Sequence, residues 1–446
     1  MEHTSTASTK AALCLLAALF ACNVYRAAAC DITPAEAWNY DRYVEPRWQE
    51  SLAQFDLSNH VLNTFLMRTS TSALGRKEIA LRLPSLFAGL LFYAAVWRIC
   101  RRMLGQGWEF AAGVAVLTLN PLLVDAVGEA RGYGIATAAW MWALDRILLY
   151  FESNDARKLN QAAFLLALSV AASLTFVVPV LGLAATTALA IRKPLARDLW
   201  LPMIVVLFLL LAIPLNRAQL SDFTAGAASL RQTVDELAAL SFRAIAGPLG
   251  LLMVALRIAV LLLVTAGGVF ALRRSTRNPL LVSVVGTTII GLLFLLAAHA
   301  KLRARFPEEG AIYLVPVLTL LSLSLFRKAR WVLLSAATVC SLIYAAGLSP
   351  RAFLDGRDFI GSRDAAKAIR ADAQQRPVAV ATSVELEPVM NYYRSRYRQG
   401  NWERIQRRPP QGGAQYYVLT SSDAGLVQRY GLHIIQKYPG MLLAAR

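Results

Sequence analysis

Charged residues are scarce in this sequence: they make up 17% of its 446 residues, whereas apolar residues make up 57%. This composition excludes a purely cytosolic or secreted enzyme, because a water-soluble domain needs a largely polar surface. Cysteine and histidine are also few, at five and four residues, and they form no CxxC, HxxxH or HExxH pattern. We therefore expect neither a disulfide framework nor a zinc site built on histidine. The sequence also contains no phosphate-binding glycine loop, nucleophile elbow or dinucleotide-binding fingerprint.

Long apolar runs, by contrast, are abundant. A membrane-spanning helix needs about 20 mainly apolar residues, and this criterion predicts eleven spans over roughly half of the chain. The predicted fold class is therefore a polytopic α-helical membrane protein. The spans cover residues 11–29, 80–98, 109–127, 133–151, 160–176, 177–191, 200–215, 248–271, 279–298, 311–326 and 331–348.

The charge imbalance predicts how these spans are oriented. Lysine and arginine number 46 against 28 acidic residues, which gives a net charge of +18. In a membrane protein this excess indicates orientation and attraction to anionic lipid or phosphate rather than to nucleic acid. With a cytoplasmic N-terminus all five predicted inner connections are short and basic, so we expect a bacterial inner-membrane protein whose C-terminus is periplasmic. These connections contain Arg98/Arg101/Arg102, Arg157/Lys158, Arg192/Lys193/Arg197, Arg273/Arg274/Arg277 and Arg327/Lys328/Arg330.

The first span has a second interpretation as a cleaved signal peptide. Lys10 precedes a short apolar run that ends in the small residues 27–29, as is typical of such peptides. Arg26 lies inside the small-residue stretch and argues against cleavage. The rest of the topology is the same in either case.

The chain divides into a membrane domain, residues 1–348, and a small C-terminal α/β domain, residues 349–446, outside the membrane. Apolar runs and turn residues predict alternating helices and strands in the second domain. The membrane domain has large outer loops at 30–79, 216–247 and 299–310. The C-terminal helices are predicted at 362–375, 387–397 and 425–430, and the strands at 377–382, 415–420, 433–438 and 441–445.

Three polar clusters lie on the predicted outer side, and the first follows span one. Asp31, Glu36 and Asp41 place three carboxylates within eleven residues, and one of them could act as a general base for a substrate at the membrane surface. The alternative is a solvated first helical turn after Pro34, in which Glu36 favours the helix dipole. These acids could also hold Mg²⁺ or Mn²⁺ together with a phosphate, or hold no ion.

The second cluster, Asp125 to Tyr133, occupies the short outer turn between spans three and four. Glycines surround Arg131 in this turn, so a phosphate or carboxylate could approach the backbone closely. The alternative is that Arg131 pairs with Glu129 or Asp125 and only joins the two helices.

The third cluster, at the outer end of span nine, contains Lys301, Arg303 and Arg305. These residues violate the positive-inside trend, so they indicate a ligand such as a lipid-linked phosphate. The alternative is attraction to phospholipid headgroups. Residues 56–68 predict an amphipathic helix on the outer surface, in which Asn59 and His60 could contact an acceptor, a headgroup or a metal.

The order of these features resembles the glycosyltransferase C superfamily, in particular bacterial members of glycosyltransferase families 39 and 83 and dolichyl-phosphate-mannose-protein mannosyltransferases. The resemblance is clearest over residues 11–150 and rests on four segments in order. The segment FPEEGAIYLVP fits more loosely, and the tail around GSRDAAKAIRADAQQRPVAVAT is similar to the soluble domain of that branch. The four segments are TPAEAWNYDRYV, SNHVLNTFLMR, GRKEIALRLPSLFAGLLFYAAVWRICRRMLG and NPLLVDAVGEARGYGIA.

The resemblance implies an enzyme that moves a sugar, usually with inversion, from a polyprenyl-phosphate carrier to a lipid, glycan or protein acceptor at the outer membrane face. An acid in the first outer loop would take the acceptor proton. The family pattern there is commonly Asp-Glu-Ala, and this sequence has Ala35 in place of the first acid. Glu36 or Asp31 would therefore act as the base, or the protein is catalytically degraded.

The resemblance also extends to the second cluster. Arg131 and Tyr133 match the family's ARGY-like turn, and Tyr133 is expected at the substrate together with His60 and Asn59 of the predicted surface helix. The basic residues of the third cluster match by location and charge only, and with Arg131 they would bind the donor phosphate. The positions matched in the third cluster are Lys301, Arg303 and Arg305.

Two other functions fit the sequence less well. A transporter or flippase for lipid-linked sugars would need polar groups midway through its spans, and common transporter folds are built from repeats. The predicted spans are nearly free of charge at their centres, and the sequence shows no internal repeat. A degraded subunit that only binds glycolipid is the other alternative, and the acid missing at Ala35 motivates it.

Overall fold

The computed structural model describes residues 2–53, 59–191, 196–216, 226–245, 250–274, 278–373 and 376–446. The predicted basic residues Arg192, Lys193 and Arg277, and part of the predicted outer loop 216–247, lie outside these residues. Helices dominate the first 347 residues, and a small sheet follows them. The helices are α1 (Glu2–Ala29), α2 (Pro34–Asn39), α3 (Trp48–Ala53), α4 (Val61–Leu74), α5 (Glu78–Leu104), α6 (Trp108–Thr118), α7 (Pro121–Ala126), α8 (Tyr133–Ser153), α9 (Ala156–Ala172), α10 (Val177–Ile191), α11 (Ala196–Leu215), α12 (Leu230–Ser241), α13 (Gly250–Arg274), α14 (Pro279–Leu302), α15 (Leu314–Phe326), α16 (Arg330–Gly347), α17 (Ser362–Ala373), α18 (Glu387–Arg396) and α19 (Leu426–Arg429).

The long helices make the chain a multi-pass membrane protein. Each of the eleven predicted spans falls on helical segments, and six helical segments of the described chain are both long and apolar enough to cross a bilayer. These six segments are Ala7–Ala29, Glu78–Leu104, Leu174–Ile191, Pro279–Leu302, Glu309–Phe326 and Arg330–Gly347.

The predicted third span, 109–127, is two helices rather than one. The break falls at Asn120, whose side-chain oxygen accepts a hydrogen bond from the Leu122 amide (3.0 Å), and Pro121 begins α7. Proline favours this position because its missing N–H is not needed in the first helical turn. The break turns α7 toward the residues that form the candidate site.

Close contact between helices depends on small residues, as is common in membrane bundles. Helices α10 and α14 approach so closely that a Cβ atom at Gly182 would lie 2.6 Å from the Thr287 carbonyl oxygen. A Cβ atom at Gly286 would lie 2.1 Å from the Thr186 hydroxyl oxygen. These two helices are thereby held in a fixed register.

A buried acid near one end of the bundle accepts hydrogen bonds from three arginines. Asp145 on α8 is fully buried and accepts hydrogen bonds from Arg98 (3.1 Å), Arg102 (2.8 Å) and Arg146 (2.6 Å). Because a single carboxylate serves side chains from both α5 and α8, it fixes the relative position of these helices. Two of its partners belong to the first basic connection that the sequence predicts to be cytoplasmic.

The C-terminal segment forms a four-stranded sheet in the order β1-β2-β4-β3. Strands β1 and β2 are parallel, and the other two pairs are antiparallel. The predicted C-terminal helices and strands are all present, with differences at their ends of one to three residues. The strands are β1 (Val380–Thr382), β2 (Tyr416–Thr420), β3 (His433–Lys437) and β4 (Met441–Ala445).

The C-terminal domain shares an apolar core with the loop after α1. Ile32, Ala37 and Tyr40 from this loop pack in one cluster with Val389 and Tyr392 of α18. The rings of Tyr40 and Tyr392 meet edge to face, with centroids 5.2 Å apart. The sheet domain is therefore seated on one end of the helical bundle, which we call the domain end.

We expect Gly132→Ala to destabilise the protein. Gly132 precedes α8 at the domain end, and an added Cβ atom would lie 1.9 Å from the Ala172 carbonyl oxygen and 2.7 Å from the His60 ring. Overpacking of this kind costs about 1–3 kcal/mol. The measurement is the thermal unfolding midpoint in detergent.

Gly425→Ala is the matched control, because a Cβ atom there meets no atom within 4 Å and its backbone is already helical. Equal midpoints for the two variants would contradict the close packing at Gly132.

Candidate active site

Glu36 is held at the first turn of α2 by its own backbone neighbourhood. Thr33 caps the helix and accepts from the Glu36 amide (3.3 Å), and the Glu36 carboxylate accepts from the Thr33 amide (3.0 Å). This reciprocal arrangement is a capping box, which satisfies two backbone donors at a helix start. It directs the carboxylate back into the protein rather than outward.

The same carboxylate joins two other parts of the chain. It accepts two hydrogen bonds from the Arg82 guanidinium (2.8 and 2.6 Å) and one from the Ala130 amide (2.6 Å). The side chains of Glu36 and Arg82 are each 1% exposed. Burial disfavours the ionised acid, but Arg82 and the backbone donors outweigh burial and hold the pKa of Glu36 below its usual range.

The other two acids of the first loop have different partners. Asp31 accepts from the Gly361 amide (2.7 Å) and lies 3.4 Å from the Arg363 guanidinium. Asp41 pairs with Arg404 of the C-terminal domain. Burial raises the pKa of Asp31, while Gly361 and Arg363 oppose that effect. The acids are thus tied to separate partners.

A metal site receives no support from this arrangement. Within the described parts of the chain, no group of three His, Cys, Asp or Glu side chains is placed to hold a metal ion. The Mg²⁺ or Mn²⁺ ion considered from the sequence stays a prediction, and we derive no step through a metal.

Asp125, in the second cluster, binds two groups far away in the sequence. One carboxylate oxygen pairs with Arg26 (2.5 Å), and the other accepts from the Leu354 amide (2.6 Å). Next to Leu354, the Phe353 ring contacts the guanidiniums of Arg26 and Arg82, whose central carbons lie 4.3 and 4.7 Å from the ring centroid. These contacts fix the segment just after α16 on the domain end.

Arg131 meets two acids that come from other parts of the chain. Its Nη1 atom lies 2.7 Å from Glu309 and 3.0 Å from Asp355. The predicted alternative of an Arg131 ion pair with Glu129 or Asp125 does not match these partners. The side chain of Arg131 is 15% exposed, whereas those of Glu309 and Asp355 are 37% and 34% exposed. Solvent or a substrate can therefore reach the two acids.

A third acid, Glu129, lies close to this group, and we call Arg131, Glu309, Asp355 and Glu129 the Arg131 cluster. Glu129 is buried, and its Oε1 atom has no hydrogen-bond partner among the described residues. Burial, followed by the charge of Asp355, raises the pKa of Glu129 well above its usual range. Burial also raises the pKa of Asp355 to about 6; Glu309 adds to this effect, and Arg131 opposes it.

The predicted substrate residues of the first loop and of α8 lie beside this cluster. The Tyr133 ring lies beneath Arg131, 4.9 Å from its guanidinium carbon, and meets the His60 ring edge to face at 4.9 Å. Asn59 is buried and accepts a hydrogen bond from the Thr64 hydroxyl (3.1 Å), which orders the start of α4. The structure therefore brings His60, Tyr133 and Arg131 together, with Asn59 adjacent to His60 in the chain.

The third cluster lies at the end of α14 and is exposed. Arg303 ends this helix with a left-handed backbone (φ 52°), and Phe306 then pairs with Ala227 as an isolated antiparallel bridge. No ion pair among the described residues involves Lys301, Arg303 or Arg305. The chain continues from Arg305 directly to Glu309, so the exposed basic segment leads into the Arg131 cluster.

Sequence reasoning missed two members of this end of the molecule. Asp355 was not selected, although it follows the last predicted span just as Asp31 follows the first. Arg82 was not selected because it lies within a helix that the apolar pattern predicts to span the membrane. A charged residue in such a helix is a signal for a buried partner, and Glu36 is that partner.

Comparison with known proteins decides the fold. Two solved structures of ArnT from Cupriavidus metallidurans superpose on this chain, one in the apo state and one bound to undecaprenyl phosphate. The TM-scores are 0.52 and 0.51, at 12% and 13% identity, and each superposition covers at least 97% of both chains. The chain shares the fold of ArnT.

This likeness is seen in the structure alone. No protein-family model and no curated protein sequence matches this chain. At this level of identity the comparison establishes the fold, and the roles of individual residues are argued from their own contacts.

We expect Glu36→Gln to destabilise the protein at neutral pH by about 3 kcal/mol, because it leaves the buried Arg82 charge uncompensated. The pKa of Glu36 is depressed in the folded state. Its contribution is therefore present above the ordinary glutamate pKa and is lost as the pH falls through the folded-state pKa. The measurement is the unfolding midpoint in detergent as a function of pH.

The control is Glu403→Gln, which removes an exposed acid of the C-terminal domain. If Glu36→Gln matched this control at neutral pH, the buried pair would not have the stabilising role argued above.

Proposed function

We propose that this protein is an inverting glycosyltransferase that takes a sugar from a polyprenyl-phosphate carrier and transfers it to a lipid, glycan or protein acceptor. The observation that carries the proposal is the course of residues 301–309. This segment contains three exposed cations and ends at Glu309, which pairs with Arg131 beside the accessible acid Asp355. A site for an anionic leaving group and a site for proton removal are thus adjacent along the chain.

The fold supports the same chemistry. ArnT, which shares this fold, is a protein with undecaprenyl phosphate bound in one of its structures. A polyprenyl phosphate has a long apolar tail and an anionic head, so it needs an apolar bundle that ends in basic groups. The end of α14 meets this requirement, because apolar side chains cover the helix up to His299 and cations follow at Lys301 and Arg303.

The proposed orientation follows from charge. We place the N-terminus in the cytoplasm of a bacterial cell and the domain end on the periplasmic side of the inner membrane. The buried Asp145 group and the exposed Arg327 and Lys328 then lie near the cytoplasmic face, in agreement with the positive-inside rule. The cations at 301–305 lie on the opposite side, where orientation does not account for them.

In the proposed mechanism, Lys301, Arg303 and Arg305 hold the donor phosphate through charge-assisted hydrogen bonds. Arg131 lies nearest to the reacting centre and stabilises the charge that develops on the departing phosphate. Attack by an acceptor hydroxyl on the opposite face of the anomeric carbon gives inversion. His60 and Tyr133 form the wall of the site beneath Arg131.

The triple variant Lys301→Ala/Arg303→Ala/Arg305→Ala is expected to raise the KM for the donor at least about tenfold, because each lost charge-assisted hydrogen bond is worth about 1.5–3 kcal/mol in a favourable geometry. The assay measures release of free undecaprenyl phosphate from a panel of undecaprenyl-phosphate sugars labelled in the lipid, with purified protein and envelope lipids as acceptor.

The double variant Arg327→Ala/Lys328→Ala removes exposed cations from the other end of α15 and serves as the control for overall charge. An equal loss in both variants would point to general attraction to lipid rather than to a donor site. Movement of the labelled lipid-linked sugar across liposomes without bond cleavage would instead favour a flippase.

A further inference from the structure

The proposed transferase lacks an evident base at the position where the resemblance predicts one. Residue 35 is alanine. Glu36 is 1% exposed, and both of its oxygens accept hydrogen bonds from within the protein. Asp31 is held by the Gly361 amide and by Arg363. Ala35 has no carboxylate, Glu36 is closed to solvent, and both oxygens of Asp31, whose side chain is 16% exposed, face partners within the protein.

We propose that Asp355, which follows the last helix of the membrane bundle, is the general base that takes the proton of the acceptor hydroxyl. This inference rests on the proposed transferase function and adds a catalytic residue to it. The acid would thus come from the start of the C-terminal segment instead of from the first loop.

Asp355 lies near the position that Ala35 leaves without an acid. The neighbouring Gly356 packs against the cap of α2, since a Cβ atom at Gly356 would lie 3.2 Å from the Thr33 methyl group. The Asp355 side chain is 34% exposed, so it is open to a substrate in a way that Glu36 is not. Asp355 and Glu36 therefore differ in how easily a substrate can reach them, although both lie near the start of α2.

The backbone on both sides of Asp355 is fixed. Leu354 donates its amide to Asp125 (2.6 Å), and the Phe353 ring contacts the guanidiniums of Arg26 and Arg82. On the other side, Gly356 packs closely against Thr33, because an added Cβ atom would lie 3.2 Å from the Thr33 methyl group. A base must be held in position to act in a single displacement, and these contacts provide that support without occupying the carboxylate with backbone donors.

The charges around Asp355 favour uptake of a proton. Arg131 is the cation in contact with it, and Arg131 also contacts Glu309. Glu129 from the α7–α8 turn adds a further carboxylate, and Asp125 on α7 and Tyr133 on α8 are also close enough to interact with this group. A simple ion pair has one carboxylate for one guanidinium, whereas the Arg131 cluster has three carboxylates for the single guanidinium of Arg131. The pKa of Asp355 rises to about 6 in this setting, with burial as the main cause, which is suitable for a base that works near neutral pH.

The acceptor oxygen forms a bond to the anomeric carbon while its proton passes to the Asp355 carboxylate. The bond between the anomeric carbon and the phosphate oxygen breaks, and its electron pair stays on the polyprenyl phosphate. Arg131 lies beside both groups and stabilises the leaving phosphate, and the proton on Asp355 returns to water.

The first test is Asp355→Asn in the assay for undecaprenyl phosphate release, with Asp358→Asn as the matched control. Asp358 is an exposed acid three residues away. We expect Asp355→Asn to lower kcat by about 10²- to 10⁴-fold, as is typical for loss of a general base, with little change in the KM for the donor. Asp358→Asn should keep wild-type activity. The unfolding midpoint of each variant is measured alongside to exclude misfolding.

The second test uses azide, an anionic nucleophile that carries no proton to be removed. We expect azide to restore release of undecaprenyl phosphate in Asp355→Asn, with a glycosyl azide as product, and not in Arg131→Gln, which lacks the stabilising cation. Wild-type kcat should decline as the pH falls below about 6, whereas the azide reaction of Asp355→Asn should not follow this titration.

The outcomes separate the inference from the function on which it rests. Near wild-type kcat in Asp355→Asn, or a well-folded inactive variant that azide does not restore, would overturn the role of Asp355 as base. Wild-type protein that releases undecaprenyl phosphate from none of the donors would overturn the proposed transferase function itself.

Discussion

The buried pair of Glu36 and Arg82 is the interaction on which the domain end depends. Arg82 also donates to the carbonyl oxygens of Cys30 (2.9 Å) and Asp31 (2.7 Å) and stacks on Phe353, while Glu36 accepts from the Ala130 amide. One ion pair therefore joins the end of α1, the start of α5, the α7–α8 turn and the segment after α16. Two charges removed from water are costly unless their hydrogen bonds are satisfied, and here almost every donor and acceptor has a partner.

This constraint separates the charged groups at the domain end into three kinds. Buried pairs such as Glu36 with Arg82 and Asp125 with Arg26 hold segments together and are closed to solvent. The exposed cations at 301–305 have no ion-pair partner among the described residues. The Arg131 cluster lies between these extremes, because it is partly accessible and contains more acid than its single arginine can neutralise. We assign a structural role to the buried pairs. In the proposed function, the exposed cations bind the donor and the Arg131 cluster carries out the chemistry.

The sequence predicts much of the fold because the relevant signals are local. Apolar runs locate helical segments, six of which in the described chain are long and apolar enough to cross a bilayer, and apolar strand patterns locate the strands of the C-terminal domain to within a few residues at their ends. The break at Asn120 and Pro121 was missed because the apolar run continues through it, although the proline is a local signal that the helix starts again. For the site, the sequence draws attention to Arg131 and Tyr133, since charge beside glycines at a membrane surface is unusual; their roles stay a prediction.

By itself, then, the sequence determined a membrane bundle, a small α/β domain and a set of polar residues between them. Only the tertiary structure decided which carboxylate pairs with which arginine. The partners of Arg131 are Glu309 and Asp355, and Arg82, the partner of Glu36, lies 46 residues away in the sequence. The physical reason is that an ion pair depends on distance in space, and a carboxylate carries no local mark of the guanidinium it will meet. Burial also depends on the tertiary structure, so one acidic side chain, Glu36, is closed to solvent and another, Asp355, is partly exposed.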